Sequence, residues 1–416
     1  MSEAVRAIAA CRLCGARDLQ RHVDFGDVPL GNNLQESQAA ARAAAAYPLV
    51  LNRCGGCGHF QLGHAVAPEL LYATNYTYLS GIGASFVKHF GEYAQWAQAQ
   101  AGVGSGSFVV DVGSNDGTCL KAFQDRGAIV CGADPASLAA GIANANGVET
   151  INAFFDADAV AEIIRRHGQA DFITSHNVLA HVDDLGAVFR NIWVLLKDGG
   201  HFAFEIGYFR EVLRTGCFDT IYHEHLDYHH AAPLARHLTA LGFDLVDLSV
   251  NSIQGGSLRL LLRKTGKGEI MPQAAAFLAE EKQSILYDDT FLAGWKQRIE
   301  DQMAEFHRIL RAHADNGATI IAYGAPTKAT LLMKMAGLGG EEVAFVVEDN
   351  VHKAGRFLPG TGVSIQPSAT LDSANPDVIV IFAWNFADDI IGKLRGKFDR
   401  PVEIVVPLPE LRTLPL

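Results

Sequence analysis

The stretch IYHEHLDYHH, residues 221–230, sets four of the chain's sixteen histidines beside two tyrosines, a glutamate and an aspartate. Imidazole exchanges protons near neutral pH, a neighbouring carboxylate can orient the ring, and a phenol can donate to a developing oxyanion. That mixture suits removal of a proton from carbon beside a carbonyl. A metalloprotease would need H-E-x-x-H, whereas the order here is H-E-H, and no third ligand of suitable spacing accompanies His223 and His225. Singly, His223, His229 and His230 read as rings that satisfy core groups or cap helices. The cluster as a whole points to acid/base chemistry. His181 closes the run DFITSHNVLAH, near the carboxyl end of a strand where ligands bind in open α/β sheets, and can join the cluster in space.

A second set of reactive residues is the four cysteines of CRLC and CGGC, Cys11, Cys14, Cys54 and Cys57. Two C-x-x-C knuckles offer four thiolates that close a tetrahedron around Zn²⁺ and leave no open position, so the metal is structural. A redox pair would be expected beside a thioredoxin-like pattern, which is absent. His22, His59 and His64 lie near enough in sequence to replace a thiolate.

The run SFVVDVGSNDGTCLKAF, 107–123, reads as a buried strand, a glycine loop and a helix. Its loop carries Asp111, Gly113, Asn115 and Gly117, with Asp116 where a dinucleotide would bring its pyrophosphate. A carboxylate there repels a diphosphate but suits the ammonium and sulfonium of S-adenosylmethionine (SAM), so the charges favour SAM over a nicotinamide cofactor. Asp134 ends the next apolar run, where an acid accepts hydrogen bonds from ribose hydroxyls. A second strand, loop and helix, ATIIAYGAPTKATLLMKMAG, ends its loop on Thr327 and Lys328 at a helix start, a place that favours an anion. Lys353 and Arg356 in DNVHKAGRFLPG can add charge-assisted bonds to phosphate.

The elements that must position these groups follow from the alternation of apolar runs and helical spacing. Runs at 128–134, 171–181, 199–207 and 258–264 extend the first strand into a doubly wound sheet, and runs at 343–350, 377–384 and 402–407 make a second. Helical spacing from 270 to 315 bridges them. The reading is an α/β protein in three parts: a zinc-binding lobe (1–70), a Rossmann-like SAM-dependent methyltransferase domain (71–270), and a helical linker with a second Rossmann-like domain (271–416). The net charge of -12 opposes a nucleic-acid partner, and no apolar run is long enough to span a membrane, so a cytoplasmic protein is expected.

Taken in order, the two CxxC pairs, YTYLSG at 76–81, DVGSNDG, SHNVLAHV, YHEHLDY, QGGSLRL, YGAPTKA and EDNVHKAGRFLPG resemble the SAM-dependent sugar-nucleotide C-methyltransferases nearly end to end, and within them the TDP-sugar C-3′ enzymes. The resemblance implies a monomer that methylates C-3′ of a TDP-linked 4-keto deoxy-amino sugar in antibiotic-sugar biosynthesis. It implies His225 as base with Glu224 supporting its imidazole, Tyr222 and His181 near the ketone, and Tyr76 capping the pocket. By the same resemblance the C-terminal domain holds the TDP through Lys328, Lys353 and Arg356, and Asn177 lies between the two ligands. An O- or N-methyltransferase and an NAD-dependent sugar reductase are the rival readings.

Overall fold

The computed structural model describes residues 4–67, 70–71 and 79–416. Its central sheet has seven strands in the order Phe243–Asn251, Ser257–Lys264, Leu196–Gly207, Ala170–His176, Phe108–Val112, Ile129–Ala133, Thr150–Ile151. Pairing is parallel from Thr150–Ile151 across to Leu196–Gly207, and Ser257–Lys264 runs antiparallel to both its neighbours. All five residues of Phe108–Val112 are buried, because helices cover both faces of this strand. The chain order reverses between Phe108–Val112 and Ala170–His176, which makes their carboxyl ends the switch point where ligands bind in such sheets. The glycine loop at 113–117 and the turn at 177–181 follow those two ends.

The C-terminal sheet has six strands, Ile365–Pro367, Val346–Glu348, Ile320–Tyr323, Val378–Ile381, Glu403–Val406 and Arg412–Pro415, parallel except for the last. The sequence reading did not separate out Thr150–Ile151, Phe243–Asn251, Ile365–Pro367 or Arg412–Pro415 as strands. These are sheet edges, mostly short or with several residues outside the core, so they lack the continuous apolar run that marks a central strand. The linker forms Pro272–Glu281 and the 27-residue helix Asp289–Asp315, whose buried Leu292, Trp295, Ile299, Met303, Phe306 and Leu310 recur at helical spacing. Among the described residues no helix is long and apolar enough to cross a membrane.

The zinc lobe is a small antiparallel sheet of Leu19–Pro29, Ala46–Cys54 and Phe60–Leu62, and its fourth strand comes from far along the chain. Asp227–Tyr228, inside the histidine-rich stretch, pairs with Phe60–Leu62. The same stretch is tied to the linker. Glu281 ends Pro272–Glu281 fully buried, and its carboxylate accepts from the amides of Ala231 and Ala232 at 2.7 Å each, from the Tyr208 hydroxyl at 2.7 Å and from His230 Nδ1 at 3.3 Å. It thereby caps helix Ala231–Ala240 from outside. Burial alone would raise Glu281, but the bonds from His230, Tyr208 and Ala231 outweigh it and hold the carboxyl below its ordinary value. Replacing Glu281 with alanine strands two amides and a hydroxyl, so Glu281→Ala should cost about 3 kcal/mol or more. Thermal unfolding of the variant beside wild type checks this; an unchanged melting temperature would contradict it.

Candidate active site

The four cysteines converge first. Cys11, Cys14, Cys54 and Cys57 bring their sulfurs within 4.8 Å of one another. The Cys11–Cys57 and Cys14–Cys54 separations are 3.7 and 3.6 Å, far from the ~2.05 Å of a disulfide and close to the ~3.8 Å edge of a tetrahedron with Zn–S of ~2.3 Å. Three of the four are buried or half-buried free thiols, a donor set that fits zinc. None of the three nearby histidines takes part: His22 stacks on Trp295, His59 faces Asp227, and His64 lies in the short strand His64–Val66.

At the switch point, Gly113 has φ of +73° and a Cβ there would sit 2.3 Å from Val178, so the loop closes only with glycine; Gly117 has φ of +79°. Asp111 is buried with its Oδ1 unpartnered, and burial together with the Asp134 charge holds its carboxyl well above the usual range. An ammonium placed there would supply the missing donor, so the residues fit SAM. Asp134 is itself locked, accepting from the amides of Asn115 and Ala136 at 2.8 Å each. Asp116 is turned to a different use from the one its position suggested: it accepts from Gly81 N at 2.7 Å and from the Thr118 hydroxyl at 2.6 Å, while Asn115 Oδ1 accepts from Ser80 N. The segment that follows YTY is thus docked on the loop. Tyr76 lies outside the described residues.

Below the loop lies a polar network the sequence reading missed. Glu205 accepts from His89 at 2.6 Å, Arg259 at 2.5 Å and Asn251 at 2.9 Å. Burial would raise it, yet the His89 bond and the charges of His176 and Arg259 bring it to about 2. His176, pushed down to about 4 by burial, stands with Asp111 and Cys119 in one cluster. Glu205 and Arg259 sit within apolar strand runs, where a single charged residue was the available signal, whereas His89 and Cys119 come from helices.

The histidine-rich stretch divides by direction. Tyr222 and His225 are half-buried, with ring centroids 4.1 Å apart, and His181 meets His225 edge to face at 4.8 Å. The Thr220 carbonyl, 3.0 Å from His225 Nδ1, can only accept, so Nδ1 carries the hydrogen; Nε2 then accepts from the Tyr222 hydroxyl at 2.8 Å. The ring's tautomer is fixed by a backbone carbonyl, a role the sequence reading gave to Glu224. Burial and the neighbouring His181 push His225 well below its ordinary value, and burial takes His181 to about 4, so both rings are neutral at pH 7. Glu224 turns elsewhere, accepting from Asn32 Nδ2 at 2.8 Å, and burial raises it to about 7.

His223, Asp227 and His230 reach the zinc lobe, and His229 stays within its own domain. His223 donates to Tyr47 O, His229 to Leu179 O and His230 to Gly58 O, which accords with reading each singly as structural. Asp227 is wholly buried between His59 Nε2 at 2.8 Å and Arg12 Nε at 3.2 Å, both from the zinc lobe.

Asn177 adopts a left-handed φ of +56° as its strand ends, with its amide on Glu205 O. Lys328, Lys353 and Arg356 of the C-terminal domain each have a different partner. Lys328 lies over the Trp384 ring at 3.6 Å, bonded to Asn385 and 4.0 Å from Asp219. Lys353 donates to Ala325 O, and its charge reaches Glu224. Arg356 pairs with Glu36 of the zinc lobe at 3.1 Å.

A sheet with its glycine loop at the switch point and the half-buried His225 nearby is the frame of an α/β cofactor-binding domain. Family models agree along the chain: a zinc binding domain over 11–72, a methyltransferase domain over 88–248 and a C-methyltransferase C-terminal domain over 252–409. The C-methyltransferase NovU of Streptomyces niveus is 32% identical over 415 residues, 100% of this chain and 99% of that protein. The ubiquinone biosynthesis O-methyltransferase of Bordetella avium is 35% identical over 108 residues, 26% of this chain and 45% of that protein. Among solved structures, the magnesium protoporphyrin IX methyltransferase of Synechocystis with bound SAM covers 43% of this chain and 79% of its own, at 16% identity and a TM-score of 0.34. The chain belongs to the SAM-dependent C-methyltransferases. Purified protein should carry about one zinc ion per chain by elemental analysis, lost in Cys54→Ser; a metal-free wild type of native fold would contradict the site.

Proposed function

We propose that this enzyme methylates C-3′ of a TDP-linked 4-keto deoxysugar bearing a 3-amino group, in the biosynthesis of unusual antibiotic sugars. The observation that carries the reading is the neutral His225 ring, with its tautomer fixed by Thr220 and its Nε2 lone pair presented beside Tyr222 and His181. The full-length likeness to a C-methyltransferase supports carbon over oxygen or nitrogen as the acceptor.

A 4-ketone acidifies the C-3′ hydrogen. His225 Nε2 takes that proton and becomes imidazolium, leaving the electron pair delocalised between C-3′ and the ketone oxygen. The Tyr222 hydroxyl, released from Nε2, and His181 stabilise the enolate oxygen. Glu224, raised by burial to about 7, supports the imidazolium through its charge and not by contact, its carboxylate being bonded to Asn32. When bound, SAM would supply an electrophilic methyl on sulfur. Tyr76 caps the pocket. Asp111, Gly113, Asn115, Gly117 and Asp134 hold the cofactor, Asn177 lies between cofactor and sugar, and Lys328, Lys353 and Arg356 serve the TDP. Lys328 and Lys353 are already engaged within the protein, so each must exchange or share a partner to reach phosphate. The enzyme acts as a cytoplasmic monomer.

Incubation with a TDP-4-keto-3-amino deoxysugar in D₂O tests the reading. Wild type should exchange the C-3′ hydrogen for deuterium without SAM and form a C-methylated sugar with it, and His225→Asn should lose both by ~10²-fold or more. Methyl on oxygen or nitrogen, or exchange undiminished in the variant, would refute it.

A further inference from the structure

Glu224 sits in the catalytic stretch, yet its hydrogen-bond partner comes from the zinc lobe. Asn32, in the lobe sequence PLGNNL, donates Nδ2 to Glu224 Oε1 at 2.8 Å, and its Oδ1 accepts from the Thr327 hydroxyl at 2.6 Å. Thr327 belongs to the GAPTK loop of the C-terminal domain. Three domains therefore meet through one amide. Its direction is not free: an ionised carboxylate can only accept, so the NH₂ faces Glu224 and Oδ1 is left to take the Thr327 hydroxyl. The approach is also tight, since a Cβ on Gly31 would lie 2.1 Å from Thr327 O, so nothing larger than glycine lets the two loops come this close.

We propose that Asn32 is a positioning residue that relays the GAPTK loop to Glu224, so that the C-terminal domain holds the catalytic carboxylate ready through Thr327 and Asn32. This rests on the reading of Glu224 as partner of the His225 base. Without the bond from Asn32, Glu224 would keep its burial and lose a donor to its charged form. The other charge that reaches it is Lys353 from the C-terminal domain, itself near Glu348; His223 and His225 on its own stretch are titratable but pushed below their ordinary values. His181 meets the Glu224 backbone. Among the described residues, Lys353 is then the cation left to favour ionisation of Glu224 once the Asn32 bond is gone. Because burial already raises Glu224 to about 7, loss of a donor moves its ionisation further up, and the charged form is lost at neutral pH.

The test uses full-length protein with ¹³C-labelled glutamate carboxyls, the Glu224 resonance being the one missing from Glu224→Gln. In Asn32→Ala the titration midpoint of Glu224 should rise by about one pH unit. Thr327→Val, which removes the hydroxyl at nearly constant volume, should raise it in the same direction, and Thr327→Ser should keep the wild-type midpoint. In turnover, the acid limb of kcat should move up with the midpoint while KM for the sugar nucleotide changes less than ~2-fold. An unmoved midpoint in Asn32→Ala, a Thr327→Val effect confined to KM, or equal effects of Val and Ser at 327 would each overturn the relay. If Asn32→Ala fails to fold, the Thr327 pair decides alone. If wild type does not turn over the sugar nucleotide, the functional reading fails, and the NMR midpoints still settle the relay.

Discussion

The buried carboxylate of Asp227 is the contact on which the active site depends. A charge removed from water is tolerated only when opposite charge and hydrogen bonds surround it, and removing either partner of such a pair is strongly destabilising. Asp227 meets this condition through His59 and Arg12, and both partners sit beside zinc ligands: Arg12 lies inside the CRLC knuckle and His59 two residues beyond Cys57. The zinc lobe thus holds the chain two residues after His225, and the strand pairing of Asp227–Tyr228 with Phe60–Leu62 extends the same grip. The cysteine cluster thus stands beside the residues that hold the chain next to His225.

From that anchor the rest of the site follows in both directions along the chain. Before it, Tyr222, Glu224 and His225 turn toward the methyltransferase switch point and the GAPTK loop. After it, His229 and His230 close on Leu179 O, Gly58 O and Glu281, which ties the stretch to the sheet, the lobe and the linker. Ten residues therefore serve as the meeting line of the whole molecule. Much of their density of polar groups goes to satisfying buried contacts between the parts of the chain.

Much of this was legible in sequence where a local pattern has one physical cause. Four thiolates in two knuckles have one economical use, and the buried strand before a glycine loop announces the nucleotide fold. What was not legible depends on partners distant in the chain. Glu224 adjoins His225 in sequence, which invites pairing them, yet the backbone sends the carboxylate to Asn32, 192 residues away, and leaves the imidazole to Thr220. Asp116 invited a reading through ligand charge, whereas the structure gives it the amide of Gly81. Asn32 carried no signal of its own in sequence, because its two partners, Glu224 and Thr327, lie 192 and 295 residues away.

The claim at the centre is that one pocket between three domains brings the SAM methyl, the sugar carbon and His225 into line. A crystal structure with S-adenosylhomocysteine and an unreactive TDP-deoxysugar tests it most directly. The account predicts C-3′ between the cofactor sulfur and His225 Nε2, within about 3–3.5 Å of the imidazole, with the diphosphate on the C-terminal domain. A sugar seated with C-3′ away from His225, or a heteroatom facing the sulfur in its place, would contradict it.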